Sequence, residues 1–93
     1  MVDMSEHILL DESDIRPNAA LAEAEFRGAD LRNARFSAAR LPGVRLSKTL
    51  LAYADLYQAD LKNADLAGAS LYEADLTQAD LREANVYGAM LVG

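Results

Sequence analysis

From Ala19 to Gly93 the apolar positions recur every five residues. Cut into fives from Ala19, the chain reads AALAE, AEFRG, ADLRN, ARFSA, ARLPG, VRLSK, TLLAY, ADLYQ, ADLKN, ADLAG, ASLYE, ADLTQ, ADLRE, ANVYG, AMLVG, fifteen units with no insertion. The third position is apolar in all fifteen: twelve Leu, Phe26, Phe36 and Val86. The first is Ala in thirteen, Val44 and Thr49 being the exceptions. The second is often Asp or Asn, and the last two are mostly polar or Gly.

Ala, Leu, Glu, Lys and Arg all favour a helix, but the period excludes one. Five residues at about 100° each advance a helix by about 140°, so positions five apart scatter around it instead of forming a stripe. A continuous strand fails too, because an odd period flips the face at every repeat. A short strand followed by a corner works. The first and third positions lie two apart and point inward together, the second points outward, and the fourth and fifth turn the chain. Four such sides close a square coil of twenty residues. Stacked coils pair backbone to backbone at about 4.8 Å, so nearly four coils make a stack about 18 Å tall. Leu or Phe fills the axis, Ala fits where the wall runs close to it, and Gly and Asn suit the corner. One coil cannot hold itself together; stacking supplies the stability.

The run ADLYQ-ADLKN-ADLAG-ASLYE-ADLTQ-ADLRE resembles the A(D/N)LXX signature of pentapeptide-repeat proteins, and the resemblance covers Ala19–Gly93. It implies an all-β fold, the right-handed quadrilateral parallel β-helix, in agreement with the square coil. It carries over no catalytic residues. Most of the family has no assigned activity, and a subset resembles B-form DNA and binds type II topoisomerases such as gyrase.

Two departures from the pattern are candidate surfaces. In Ala39–Tyr53, Val44 and Thr49 replace the first-position Ala. Arg35, Arg40, Arg45 and Leu50 replace the outward Asp. With Lys48, the three arginines form a basic band round three sides of the second coil, suited to an acidic partner or phosphates; the alternative is drift within a tolerant repeat. Pro42 falls at a corner, where its missing N–H need not cost a ladder bond. The second surface lies on one side. Leu50, Tyr53, Tyr72, Met90 and Val92 all face outward around the core column Leu31, Leu51, Leu71, Leu91. Contiguous exposed apolar residues mark contact sites, whereas scattered ones are ordinary. Tyr57, Tyr72 and Tyr87 fall on three different sides and form no base-stacking platform. Asp55 stacks with Asp75 and Asp60 with Asp80, close enough to raise one carboxyl pKa of each pair.

Residues 1–18 form a separate leader outside the repeat register. Ile8, Leu9, Leu10 and Ile15 are expected to cover the first coil, with Pro17 ending the cover; the alternative is a leader without fixed structure. At the other end AMLVG completes a repeat at Gly93. An open coil edge is satisfied by end-to-end pairing, so the expectation is a homodimer through the C-terminal coil, with a shortened chain as the alternative.

Charge narrows the function. The formal net charge is −6. Asp3, Glu6, Asp11, Glu12 and Asp14 against Arg16 place −4 of it in the leader. By coil the solenoid carries 0 over 19–38, +2 over 39–58, −3 over 59–78 and −1 over 79–93. A DNA duplex carries one charge per ~1.7 Å of axis, so a mimic of this height needs on the order of ten. DNA mimicry is disfavoured, and it stays as the alternative to the leading expectation, a non-catalytic scaffold for protein–protein contacts. The sequence has no nucleophile–base set, phosphate loop or metal cluster. It has no cysteine, and His7 alone cannot build a zinc site. The expectation is therefore no enzyme, no cofactor and no metal. Nor is direct nucleic-acid binding or a membrane span expected, and the expected compartment is the cytoplasm.

Overall fold

The computed structural model describes residues 16–91. The second residue of each unit pairs in parallel with the residue twenty positions on. Ala20–Arg40–Asp60–Asp80 make the first side and Glu25–Arg45–Asp65–Asn85 the second. Asp30–Leu50–Ser70–Met90 make the third and Arg35–Asp55–Asp75 the fourth. The result is a four-sided parallel β-helix. Coil 1 is 19–38, coil 2 is 39–58, coil 3 is 59–78, and coil 4 begins at 79.

The corners explain the period. The fourth and fifth residues form the turn, and the next unit's first N–H donates back to the third carbonyl, as Ala24 does to Leu21 at 3.1 Å and Ala64 to Leu61 at 3.0 Å. All fifteen fifth positions from Asn18 to Gly88 have positive φ. Positive φ at the second central residue alone is the type II turn, which favours Gly or Asn there and Pro before it. Leu41-Pro42-Gly43-Val44 fits both preferences. Eleven of these corner residues are not glycine, among them Glu23, Lys48 and Tyr53. Their left-handed backbone costs roughly 1–2 kcal/mol each, and the bonds that hold the corner offset it.

Those bonds use nearly every backbone donor. In coil 1, Leu21 N–H donates to Arg40 O at 2.8 Å and Glu23 N–H to Pro42 O at 2.9 Å. Arg40 N–H donates back to Ala19 O at 2.7 Å. The same three ladder bonds recur side after side. First-position N–H groups make the turn bond, so in coil 2, with a coil on either face, only the fourth N–H is left over. Pro42 occupies a fourth position, and no ladder bond is lost there.

The regular path starts at Arg16. Ala19 N–H donates to Arg16 O at 3.2 Å, Asn18 N–H to Ser37 O at 2.9 Å, and Asn18 has φ 63. A corner of the solenoid thus precedes Ala19, with Pro17 as its first central residue. The expected cover from Ile8 to Ile15 lies outside the described residues.

The third-position side chains meet on the axis, where Phe26 and Phe36 from opposite sides of coil 1 pack edge to face with centroids 6.2 Å apart. Val44 and Thr49 are fully buried in a wall that does not open for them: the neighbouring ladder bonds Asp65 N–H to Val44 O and Ser70 N–H to Thr49 O are 2.9 and 3.0 Å. The Thr49 hydroxyl donates to Leu46 O at 2.7 Å, which satisfies the polar group that an Ala would not have brought in. Burial fades toward coil 4, where Val86 is 41% and Leu91 55% exposed.

Candidate functional site

The second-position acids turn out to be structural. Their side-chain oxygens accept the leftover fourth N–H of the same unit, from Glu25 with Arg27 through Asp80 with Arg82 and Asn85 with Tyr87. Eight units do this, at 2.9–3.2 Å. The Asp/Asn of the repeat is therefore a turn-capping group. The spacing of an acid two residues before the position it serves is visible in the sequence, but the donor it serves is not.

Two members of the stacked Asp pairs, Asp75 and Asp80, are lowered and not raised. A bidentate hydrogen bond from Arg82, 2.9 and 2.7 Å to the two oxygens, holds Asp80 down at about 2. The Thr77 hydrogen bond lowers Asp75. The same device lowers Glu25 through Arg27 and brings Asp30 to about 2 through Arg32. In all four, hydrogen bonding to the charged form is the largest cause of the lowering.

On the third side Leu50, Tyr53, Tyr72 and Met90 are 43–58% exposed. Parallel pairing stacks Leu50, Ser70 and Met90 in one column. Tyr53 and Tyr72 meet edge to face with centroids 5.7 Å apart, and Tyr53 N–H donates to Tyr72 O at 2.8 Å. Four of the five expected apolar residues therefore share one side; Val92 lies outside the described residues. Leu91, an inward position, adds exposed surface where this side meets coil 4.

Arg35 lies on the fourth side of coil 1, and Arg40 and Arg45 follow on the first and second sides of coil 2 with Lys48 at the corner after Arg45, so the band winds from coil 1 into coil 2 and does not circle the second coil alone. Each arginine is paired by backbone with an acid in the coil above: Arg35 with Asp55, Arg40 with Asp60, Arg45 with Asp65. Opposite charges directly across a ladder favour the register. The band is thus flanked by a row of carboxylates, although no described residue forms an ion pair with any of its four members. Lys48 leans along the stack, its Cγ 3.4 Å from where a Gly68 Cβ would stand. A shallow recess on the first side, lined by Lys62, Asn63, Arg82 and Glu83, has both cations already engaged by Asp60 and Asp80.

The family model for pentapeptide repeats matches in eight copies over residues 18–47, 29–66 and 59–93. The chain belongs to the pentapeptide repeat family. It is similar to a pentapeptide repeat protein from Nostoc Pcc 7120, at 40% identity and TM-score 0.51, over 74% of this chain and 61% of that one. It is also similar to one from the Arabidopsis thaliana thylakoid lumen, at 28% identity and TM-score 0.55, over 90% of this chain and 61% of that one. The chain thus spans about three-fifths of the length of either structure. No curated protein matches it. The fold is the right-handed quadrilateral β-helix of these pentapeptide repeat proteins, which are in general non-catalytic structural modules.

Proposed function

We propose that the chain is a non-catalytic interaction module that docks protein through its third side and the junction of that side with coil 4. The apolar run Leu50, Tyr53, Tyr72 and Met90 carries this reading. The outward columns of the other three sides are dominated by charge, and a cluster of exposed apolar side chains on one side of such a body marks a contact. Each of these residues takes part in at least one ladder bond, so docking costs little backbone ordering entropy. The seven second-position acids each accept a backbone N–H, and three of them also hold an arginine.

A second copy of the chain is the first partner of this reading. It would cover the exposed apolar side chains of Val86, Met90 and Leu91. Light scattering over a wide concentration range tests it. The expected outcome is a mass that rises to twice that of the chain and stays at one chain for Met90→Lys. A single-chain mass at every concentration removes the second copy. A topoisomerase mimic is disfavoured by a solenoid charge of only −2; gyrase supercoiling is expected to be unchanged by excess protein, and inhibition would reverse that preference.

A further inference from the structure

Coil 2 departs from the capping rule in a way that leaves a place for an anion. In the unit Val44–Lys48 the acid is replaced by Arg45, and the Ser47 N–H it would have capped donates to nothing in the described structure. We propose that this unit binds a carboxylate of an acidic peptide, one oxygen taking the Ser47 N–H and the charge lying between Arg45 and Lys48.

The geometry is demonstrated eight times in the same molecule. Wherever an acid or Asn stands at the second position, its oxygen rests on this N–H at 2.9–3.2 Å. The turn at Ser47 has the same form: Thr49 N–H donates to Leu46 O at 3.2 Å, and Lys48 has φ 59. An incoming carboxylate therefore meets a preformed donor. It also meets two cations, Arg45 and Lys48, that form no ion pair among the described residues. Glu25, below Arg45, is held by Arg27 at 2.8 Å, and Asp65, above it, accepts from Ala67 N–H at 3.1 Å.

The other arginine units do not reproduce this. After Arg40 the fourth position is Pro42, which has no N–H to offer. After Arg35 the Ser37 N–H is free, but the corner residue is Ala38, so the second cation is missing. The second side is also the one described side with positive net charge, Arg27, Arg45 and Lys48 against Glu25 and Asp65. A net of +1 makes this the side that repels an acidic peptide least.

The test is a titration of the full ¹⁵N-labelled chain, followed by its amide spectrum. The probes are a blocked tetraglutamate peptide, its tetraglutamine counterpart and inorganic phosphate. The Ser47 amide is expected to shift saturably with tetraglutamate and not with tetraglutamine, and the response is expected to weaken as salt rises. Arg45→Asn should place the protein's own amide oxygen on Ser47 N–H, as Asn85 does for Tyr87. It is expected to keep the ladder amides in place and to lower affinity by roughly tenfold or more, since both the Ser47 N–H and the Arg45 charge are lost to the ligand. Lys48→Gln, on an exposed side chain, is expected to lower affinity several-fold and carries the test independently of Arg45→Asn. A Ser47 amide that does not move with tetraglutamate overturns the proposal. So does one that moves equally in both variants, or one that moves with phosphate alone.

Discussion

Leu61→Ala is the sharpest test of how the stack is held together. Leu61 is fully buried between Leu41 and Leu81 in the core column of the first side. Removing three carbons at about 0.8 kcal/mol per methylene forfeits roughly 2.4 kcal/mol of transfer energy. The cavity adds to this, because the wall cannot collapse into it. Leu61 N–H is bonded to Asp80 O at 2.8 Å and Asp60 N–H to Ala39 O at 2.9 Å, which fixes the coil spacing on both sides. The expected loss is about 3–4 kcal/mol, within the range of buried Leu→Ala changes. In a domain of this size that lowers Tm by about 15–25 °C. Leu91, at 55% exposed, loses less transfer energy and leaves no cavity, so Leu91→Ala should cost about 1 kcal/mol or less. Half-buried Leu81 should fall between them. Urea denaturation followed by far-UV circular dichroism gives all three. Should Leu61→Ala leave no folded baseline, Leu61→Met, expected to cost under about 1.5 kcal/mol, supplies the same ordering against Leu91→Met. Equal losses at positions 61 and 91 would refute an axis filled by the third-position side chains.

Three further outcomes follow from the corners and caps. Asp65→Ala should cost about 0.5–1.5 kcal/mol by freeing the Ala67 N–H, while Asp65→Asn should be nearly neutral, and equal costs would mean that the cap carries no stability. Ala38→Gly should raise stability by up to about 1 kcal/mol, since Ala38 sits at φ 56 where Gly pays no steric penalty; a lower urea midpoint would contradict the strain assigned to the corner. Asp30 and Asp80 are both held at about 2 in the folded chain, below their unfolded value of about 3.9. Depressed folded values give stability that is present above about pH 4 and lost as pH falls toward 2. The double variant Asp30→Asn/Asp80→Asn, which keeps the caps, should flatten the urea midpoint over that window, and an unchanged slope would rule out these pairs as its source.

The repeat itself was legible because its period is incompatible with both a helix and a continuous strand, and because Leu, Phe and Ala sort by the room available at the axis. The four apolar residues of the third side were legible for the same reason: a twenty-residue coil turns sequence position directly into side and height. The role of the acids was not. Asp55, Asp60, Asp75 and Asp80 read from the sequence as outward charge, and their stacking in pairs suggested mutual repulsion. Only the ladder shows that the fourth N–H has no other partner, and hence that the acid answers a backbone need. The corner conformation was half legible. Gly28 and Gly43 announce positive φ, but Lys48 and Tyr53 adopt it with no local signal, because ladder bonds around them override their own preference.

Every ladder bond in this chain joins residues about one coil apart in sequence, such as Leu21 to Arg40 and Arg40 to Ala19. Tension applied to the last residues therefore loads coil 4 alone, one bond after another, in the manner of a zipper. Each coil that lets go exposes an edge of the same kind as the one just lost, so the force needed should repeat instead of falling in a single break. A coil of twenty residues pays out about 65–70 Å of extended chain. Pulled from its C-terminal end in an optical trap, the solenoid should lengthen as a ratchet with that tooth spacing.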